Sequence, residues 1–384
     1  KEGSSVDGMA VVSIGSTAGA TAVVNGDVFG GGKNGGVVNK QTYVKVYDGA
    51  TITGNLYGGG ENADTNGTSQ MEIYGGKILG DIYGGGKDGG VTKNSSIRFV
   101  SNVDFTGTVN GGGENGATVI GQKVLTFGGW GNGEKWEGDF NGKVENINAV
   151  VLTNNSNVNN LNMKLTERTN FGGTGTLSVV ADMQNVNIKD QCLVNVTGSA
   201  PLDVTFKNSK FVGNTLDMNS FGVFLHWGVG KMAFDGTLIE NNNITRSDGD
   251  KVQGMLYYNG SGSGEILNTI VKNNTFTASQ VQSSGVFAYQ QDLNVSGSKF
   301  IGNKSIGSSS KLTNGAFYVE NQSANEKLVT VSDTLFEGNS AENTADAAMA
   351  RGGALSVVKR VKSGETKGAG VNVVLNDVVF SNNT

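Results

Sequence analysis

His226 is the single histidine of this chain and lies in Phe224-Leu-His-Trp-Gly, so any Ser-His-Asp or Cys-His chemistry would have to use it. No Gly-x-Ser-x-Gly turn accompanies it. One cysteine and one histidine cannot complete a zinc site. Cys192, within the apolar alternation Gln-Cys-Leu-Val-Asn-Val, reads as a small buried hydrophobe. His226 beside Trp227 reads as a packing group on a strand or loop face. Glycan cleavage needs two or three carboxylates converging on the scissile bond. The nearest acidic clusters are Asp248 with Asp250, and Glu134 with Glu137 and Asp139. Both read as solvated loop charges. Calcium takes oxygen ligands alone, and it would sit in the loops around Glu61, Asp64 and Asn66, or at Asp248 and Asp250. The sequence leads to no catalytic constellation and requires no cofactor.

The pattern that dominates the chain is structural. Six segments of the second half share an apolar residue, two variable residues and Asn. They are Phe211-Val-Gly-Asn214, Ile239-Glu-Asn-Asn242, Val271-Lys-Asn-Asn274, Phe300-Ile-Gly-Asn303, Phe336-Glu-Gly-Asn339 and Phe380-Ser-Asn-Asn383, with apolar residues 28, 32, 29, 36 and 44 apart. Such a period is the mark of a repeat architecture. Each unit carries three short alternating runs: one before the motif, one containing it, and one beginning with Gly 11 to 17 residues later. Three strands per turn at this period predict an all-β fold, a right-handed parallel β-helix of the pectate-lyase-like solenoid type. Asn at the end of each motif tolerates a left-handed backbone and can bond from coil to coil. Asn214, Asn242, Asn274, Asn303, Asn339 and Asn383 are therefore expected to form a structural ladder. Phe211, Phe300, Phe336 and Phe380 should form an inward aromatic column beside it.

The first third has another unit. Gly triplets begin at Gly30, Gly58, Gly84 and Gly111, each followed by Lys or Glu and then Asn or Asp. Alternating runs such as Val44-Lys-Val-Tyr-Asp, Met71-Glu-Ile-Tyr and Ile97-Arg-Phe-Val precede the last three. The triplets are read as corners where Phe29, Tyr57 and Tyr83 stack. The expected organisation is residues 1–140 with the Gly-triplet repeat and 141–384 with the later repeats, continuous in one elongated rod. The repeat type changes around Trp130 to Trp136. At roughly 27 residues per coil and about 4.8 Å per strand, some fourteen coils would give a rod on the order of 65 Å.

Composition agrees. There are 61 Gly and 1 Pro, as expected where backbones approach closely and Pro would remove ladder donors. Charged residues are 16%, the net charge is −5 and no basic run occurs, so nucleic acid and anionic membrane find no footprint. No stretch is apolar enough to span a membrane as a helix. The chain opens without a signal peptide and stops inside a repeat, which points to an excised or mature fragment.

Phe336-Glu-Gly-Asn339-Ser-Ala followed by Gly352-Gly353-Ala354-Leu355 resembles the paired FxxN and GGA[ILV] repeats of the chlamydial polymorphic membrane proteins. The resemblance covers residues ~200 to 384. It implies an autotransporter-type passenger at a bacterial cell surface or secreted from it, an adhesin binding a host or bacterial surface protein or glycan. No receptor-binding residue carries over, because the shared positions are structural. Binding is expected where the period breaks, in Ala341 to Arg351, Lys359 to Gly370 and Asp248 to Gly264. The residues placed there are Asp248, Asp250, Tyr257, Tyr258, Glu342, Asp346, Arg351, Lys359 and Arg360. A polysaccharide lyase or glycoside hydrolase on the same fold, and a spacer rod presenting a distant tip, are the alternatives.

Overall fold

The computed structural model describes residues 3–16, 18, 20–190, 192–218, 222–246, 253–259, 261–278, 283–289, 291–308, 313–321, 323–344, 350–359 and 369–384. The described chain is all-β, without a helix, and its strands pair in parallel with strands one repeat away. It gathers into two compact units, Lys1–Val179 and Val180–Thr384.

In the first unit Thr42–Val46 pairs with Thr65–Ile73, that strand with Val91–Phe99, and that one with Lys123–Phe127. The register places Val44, Met71, Ile97 and Leu125 in one column and Val46, Ile73, Phe99 and Phe127 in the next, all buried. Alternation then sends Lys45, Glu72, Arg98 and Thr126 to the opposite face. The columns continue into Val150 and Leu152, beside an aromatic cluster. Phe99, Phe105, Phe127, Trp136 and Phe140 meet at centroid separations of 5.2 to 6.1 Å.

The Gly triplets are corners of close approach, since none of their residues has positive φ. A Cβ on Gly86 would lie 2.3 Å from the Gly60 carbonyl oxygen, and one on Gly30 2.4 Å from that of Gly58. Side chains are excluded because backbone stacks on backbone. Phe29, Tyr57 and Tyr83 do stack beside these corners, at 4.8 and 5.0 Å between centroids.

In the second unit a turn can carry four strands, as in Lys231–Asp235, Leu238–Glu240, Asn243–Arg246 and Gln253–Asn259. The short strand after the ladder Asn was not expected; its four residues are too few to announce an alternation. Three inward columns run through the unit: Phe206–Phe234–Ile266–Val295–Val331, Phe211–Ile239–Val271–Phe300–Phe336, and Phe224–Leu256–Val286–Phe317–Leu355. Phe380 stacks on Phe336 at 5.2 Å but is 45% exposed, unlike the column below it. Its strand, Val371–Ser381, is paired along one edge among the described residues.

The Asn ladder is present, with a corrected corner. The left-handed residue is the one before the ladder Asn: Gly213, Asn241, Asn273, Gly302, Gly338 and Asn382 have φ between 53° and 68°, whereas the ladder Asn residues do not. This is why the third motif position is always Gly or Asn. The ladder Asn is free to turn its amide inward. Asn242 Nδ2 donates to Asn274 Oδ1 (2.8 Å) and to the Phe211 carbonyl (2.8 Å). Its Oδ1 accepts from the Nδ2 (2.8 Å) and backbone N–H (3.0 Å) of Asn214. Both donors and both acceptor sites of the amide are thus used, and the pattern repeats through Asn274, Asn303 and Asn339, while Asn383 accepts from Asn339 and donates to the Phe336 carbonyl. At a second corner Asn208, Gly236, Asn268 and Gly297 are the left-handed residues. Hydroxyls continue a ladder after them: the N–H groups of Ser209, Thr237 and Thr269 donate to Thr237, Thr269 and Ser298.

Candidate functional site

In the first unit, the outward face of the parallel strands concentrates side chains capable of recognition. Lys45, Glu72 and Arg98 occupy one register column. Tyr43 lies two residues before Lys45, and Tyr47 and Tyr74 each follow two residues after a column member. Strands about 4.8 Å apart bring these groups together. Glu72 is 3% exposed although it points away from the core. One carboxylate oxygen, Oε2, accepts the hydroxyls of both Tyr43 and Tyr74, the latter at 2.7 Å. Burial pushes both phenols up, and the Glu72 carboxylate pushes them further. Tyr47 stacks on Tyr74 at 5.0 Å, and Lys45 Nζ lies 4.5 Å from the centre of the Tyr43 ring.

Arg98 is 7% exposed and is roofed by Trp130, whose ring centre is 4.1 Å from the guanidinium carbon. Its Nη1 donates to the Gly128 carbonyl at 2.8 Å. Burial lowers the Arg98 pKa, while the Glu72 charge beside it acts in the opposite direction. Trp130 itself is 75% exposed. An indole left so open needs an explanation, because its loop is firmly built. Gly129 N–H donates to the Glu134 carbonyl (2.8 Å), and Gly131 N–H to the Glu134 carboxylate (2.7 Å). Asn154, at φ 55°, donates Nδ2 to the carbonyls of Gly129, Gly131 and Glu134 at 2.8 to 3.1 Å. The loop therefore holds the indole with one face on a cation and the other toward solvent. Trp136, six residues on, is buried in the aromatic core.

In the sequence these residues are the outward members of the strand alternation, which by itself does not distinguish them from other outward positions. The available signal was that Lys45, Glu72 and Arg98 recur at nearly the Gly-triplet period. Trp130 marks a change of repeat in the sequence, and no local pattern there places it over Arg98.

The expected loop sites fare differently. Asp248, Asp250, Asp346 and Arg360 lie outside the described residues. Tyr257 and Tyr258 are not loop residues: both sit on the strand Gln253–Asn259, at 3% and 0% exposure, so they cannot offer a contact surface. Tyr257 packs with Cys192, Leu225 and Tyr318. Glu342 is exposed on the strand Ser340–Asn343 and pairs with Lys304 at 2.8 Å. Arg351 ends the strand Ala350–Arg351, and Lys359, at the end of Leu355–Lys359, is exposed. Of the acidic loop pairs, Glu61 meets Lys33 at 3.1 Å and Asp64 accepts the Val91 N–H at 2.7 Å. Among the described residues no three His, Cys, Asp or Glu side chains group as metal ligands would. No described helix is long and apolar enough to cross a membrane.

His226 is fully buried, with Nδ1 3.2 Å from Gln291 Oε1 and no partner on Nε2 among the described residues. Burial lowers its pKa, outweighing the Gln291 bond and the Asp203 charge, which act the other way. A histidine with a depressed folded pKa favours the folded state above the ordinary value of about 6.5, and that advantage is lost as pH falls. Stability should accordingly decline as pH falls below about 6.5, and His226→Gln should flatten that decline in urea titrations. An unchanged slope would remove His226 as the source.

In comparisons with known proteins, no family model, no curated protein and no solved structure matches this chain.

Proposed function

We propose that this chain is a stretch of right-handed parallel β-helix serving as the passenger of a bacterial cell-surface or secreted adhesin. It binds host or neighbouring surfaces through the side of the stack around Trp130. Parallel pairing at one-repeat intervals supports the helix, and right-handed crossover is the rule for parallel connections. The FxxN and GGA[ILV]-like residues at Phe336–Asn339 and Gly352–Leu355 support the passenger reading. One observation carries the binding role: a rigidly tied loop holds an exposed Trp130 over a buried Arg98, beside a carboxylate already bound to two phenols. Trp, Tyr and Arg are the residues that dominate binding energy at contact surfaces. A Glu72 engaged by Tyr43 and Tyr74 suits recognition better than proton transfer.

Purified full chain should bind intact cells saturably, and Trp130→Ala/Lys45→Ala should weaken that binding at least tenfold without altering the circular dichroism spectrum. Equal binding by the variant would move the contact elsewhere. New reducing ends or unsaturated sugars released from a polysaccharide panel would replace the adhesin reading with an enzyme.

A further inference from the structure

The geometry around Trp130 points to a neutral oligosaccharide as the ligand, with the open face of the indole as the platform for one sugar ring. This inference rests on the reading of the face as a contact surface. The inner face of the ring is occupied by the Arg98 guanidinium at 4.1 Å, so a ligand meets the outer one. A pyranose presents a flat patch of C–H groups on its ring face and hydroxyls around its rim. The patch complements the electron-rich face of an aromatic ring, and the hydroxyls need donors and acceptors at the edge.

Both kinds of group are present. Lys45 supplies an ammonium donor, and the phenol oxygens of Tyr43 and Tyr74 supply acceptors, their own hydroxyls already donating to the buried Glu72. The tyrosine pair Tyr47 and Tyr74 extends the aromatic surface along the stack. Charge argues for an uncharged ligand. Lys45, Glu72 and Arg98 alternate in sign along the column, and Glu134 in the Trp130 loop balances the second cation. An acidic sugar would gain no net attraction there. A protein partner would be expected to bury an apolar core, whereas this face sets its rings against the cations Lys45 and Arg98.

Arg98 acts as a positioning residue: it lies under the indole and fixes its angle. The loop bonds from Asn154 do the rest, so little order is lost on binding.

The test uses the full chain titrated with neutral gluco-, galacto- and manno-oligosaccharides, followed by tryptophan fluorescence and calorimetry. At least one series should bind, with Trp130→Ala lowering affinity at least tenfold and Trp130→Phe retaining part of it. Arg98→Gln should lower affinity while shifting the Trp130 emission of the free protein, a change that a purely structural role elsewhere would not produce. Thermal unfolding checks that each variant folds. Binding by Trp130→Ala equal to the parent, or no binding across the panel, overturns the inference. If the chain fails the panel yet still binds cells stripped of glycans in a Trp130-dependent way, the partner is a protein and only the ligand assignment falls. If it binds neither sugars nor cells, the contact-surface reading falls as well.

Discussion

Asn274→Leu is expected to destabilise the second unit by about 4 kcal/mol, because a shape-matched side chain strands the partners of a fully used amide. Asn274 donates to the Ile239 carbonyl at 2.9 Å and to Asn303 Oδ1 at 3.0 Å, and accepts from Asn242 N–H and Nδ2 at 3.0 and 2.8 Å. Leu satisfies none of these, and an unpaired buried group costs about 1–3 kcal/mol. Partial relaxation keeps the sum below the simple total. Asn274→Asp should be at least as harmful at pH 7, since a carboxylate would face the Ile239 carbonyl and Asn303 Oδ1. Protonation restores one donor, so the Asp variant should recover as pH falls, while the Leu variant should not. Asn243, next to Asn242 and exposed, is the control; Asn243→Asp should change stability by less than about 0.5 kcal/mol. Urea unfolding with hydrogen exchange on the strands flanking Asn274 would read these effects locally, as a stack of repeats requires. A loss under about 1 kcal/mol for Asn274→Leu would show that the ladder is ornamental.

The second large effect concerns the Gly triplets. Gly86→Ala is expected to cost about 3 kcal/mol, because the new methyl would sit 2.3 Å from the Gly60 carbonyl oxygen. The obstacle is backbone of the adjacent coil, pinned by the Lys87 N–H bond to that same oxygen at 3.0 Å, so it cannot swing away. Gly172→Ala is the matched control, since a Cβ there meets nothing within 4 Å and its φ is not left-handed. It should be neutral or stabilising by about 0.4–1 kcal/mol through the unfolded chain. Thermal unfolding of both variants decides the matter. Equal melting temperatures would mean the triplets are tolerated composition and not a packing requirement.

The repeat was legible because it is written in local pattern. The spacing of Phe211, Ile239, Val271, Phe300 and Phe336 announced a column, and the register pairs them in that order. Asn214 to Asn383 announced a ladder for the same reason. The detail that went astray was which residue turns the corner. Gly213 and Asn241 look variable in sequence, yet a positive φ limits that position to Gly or Asn. Tyr257 and Tyr258 went astray because a departure from the period was equated with exposure. A strand can lie in the middle of a long interval, and here one does.

What the amino-acid sequence determined by itself is the scaffold: all-β, parallel, period near 27 to 36, with inward residues readable from alternation. What only the tertiary structure decided is which outward residues meet. Lys45, Glu72 and Arg98 are 27 and 26 residues apart and share a column only once the register is set. Trp130 reaches Arg98 across 32 positions, through a loop held by Asn154 from yet another strand. Alternation states that a side chain leaves the core but not what covers it. Coverage is a contact between coils, and that is set by register, corner geometry and loop path together.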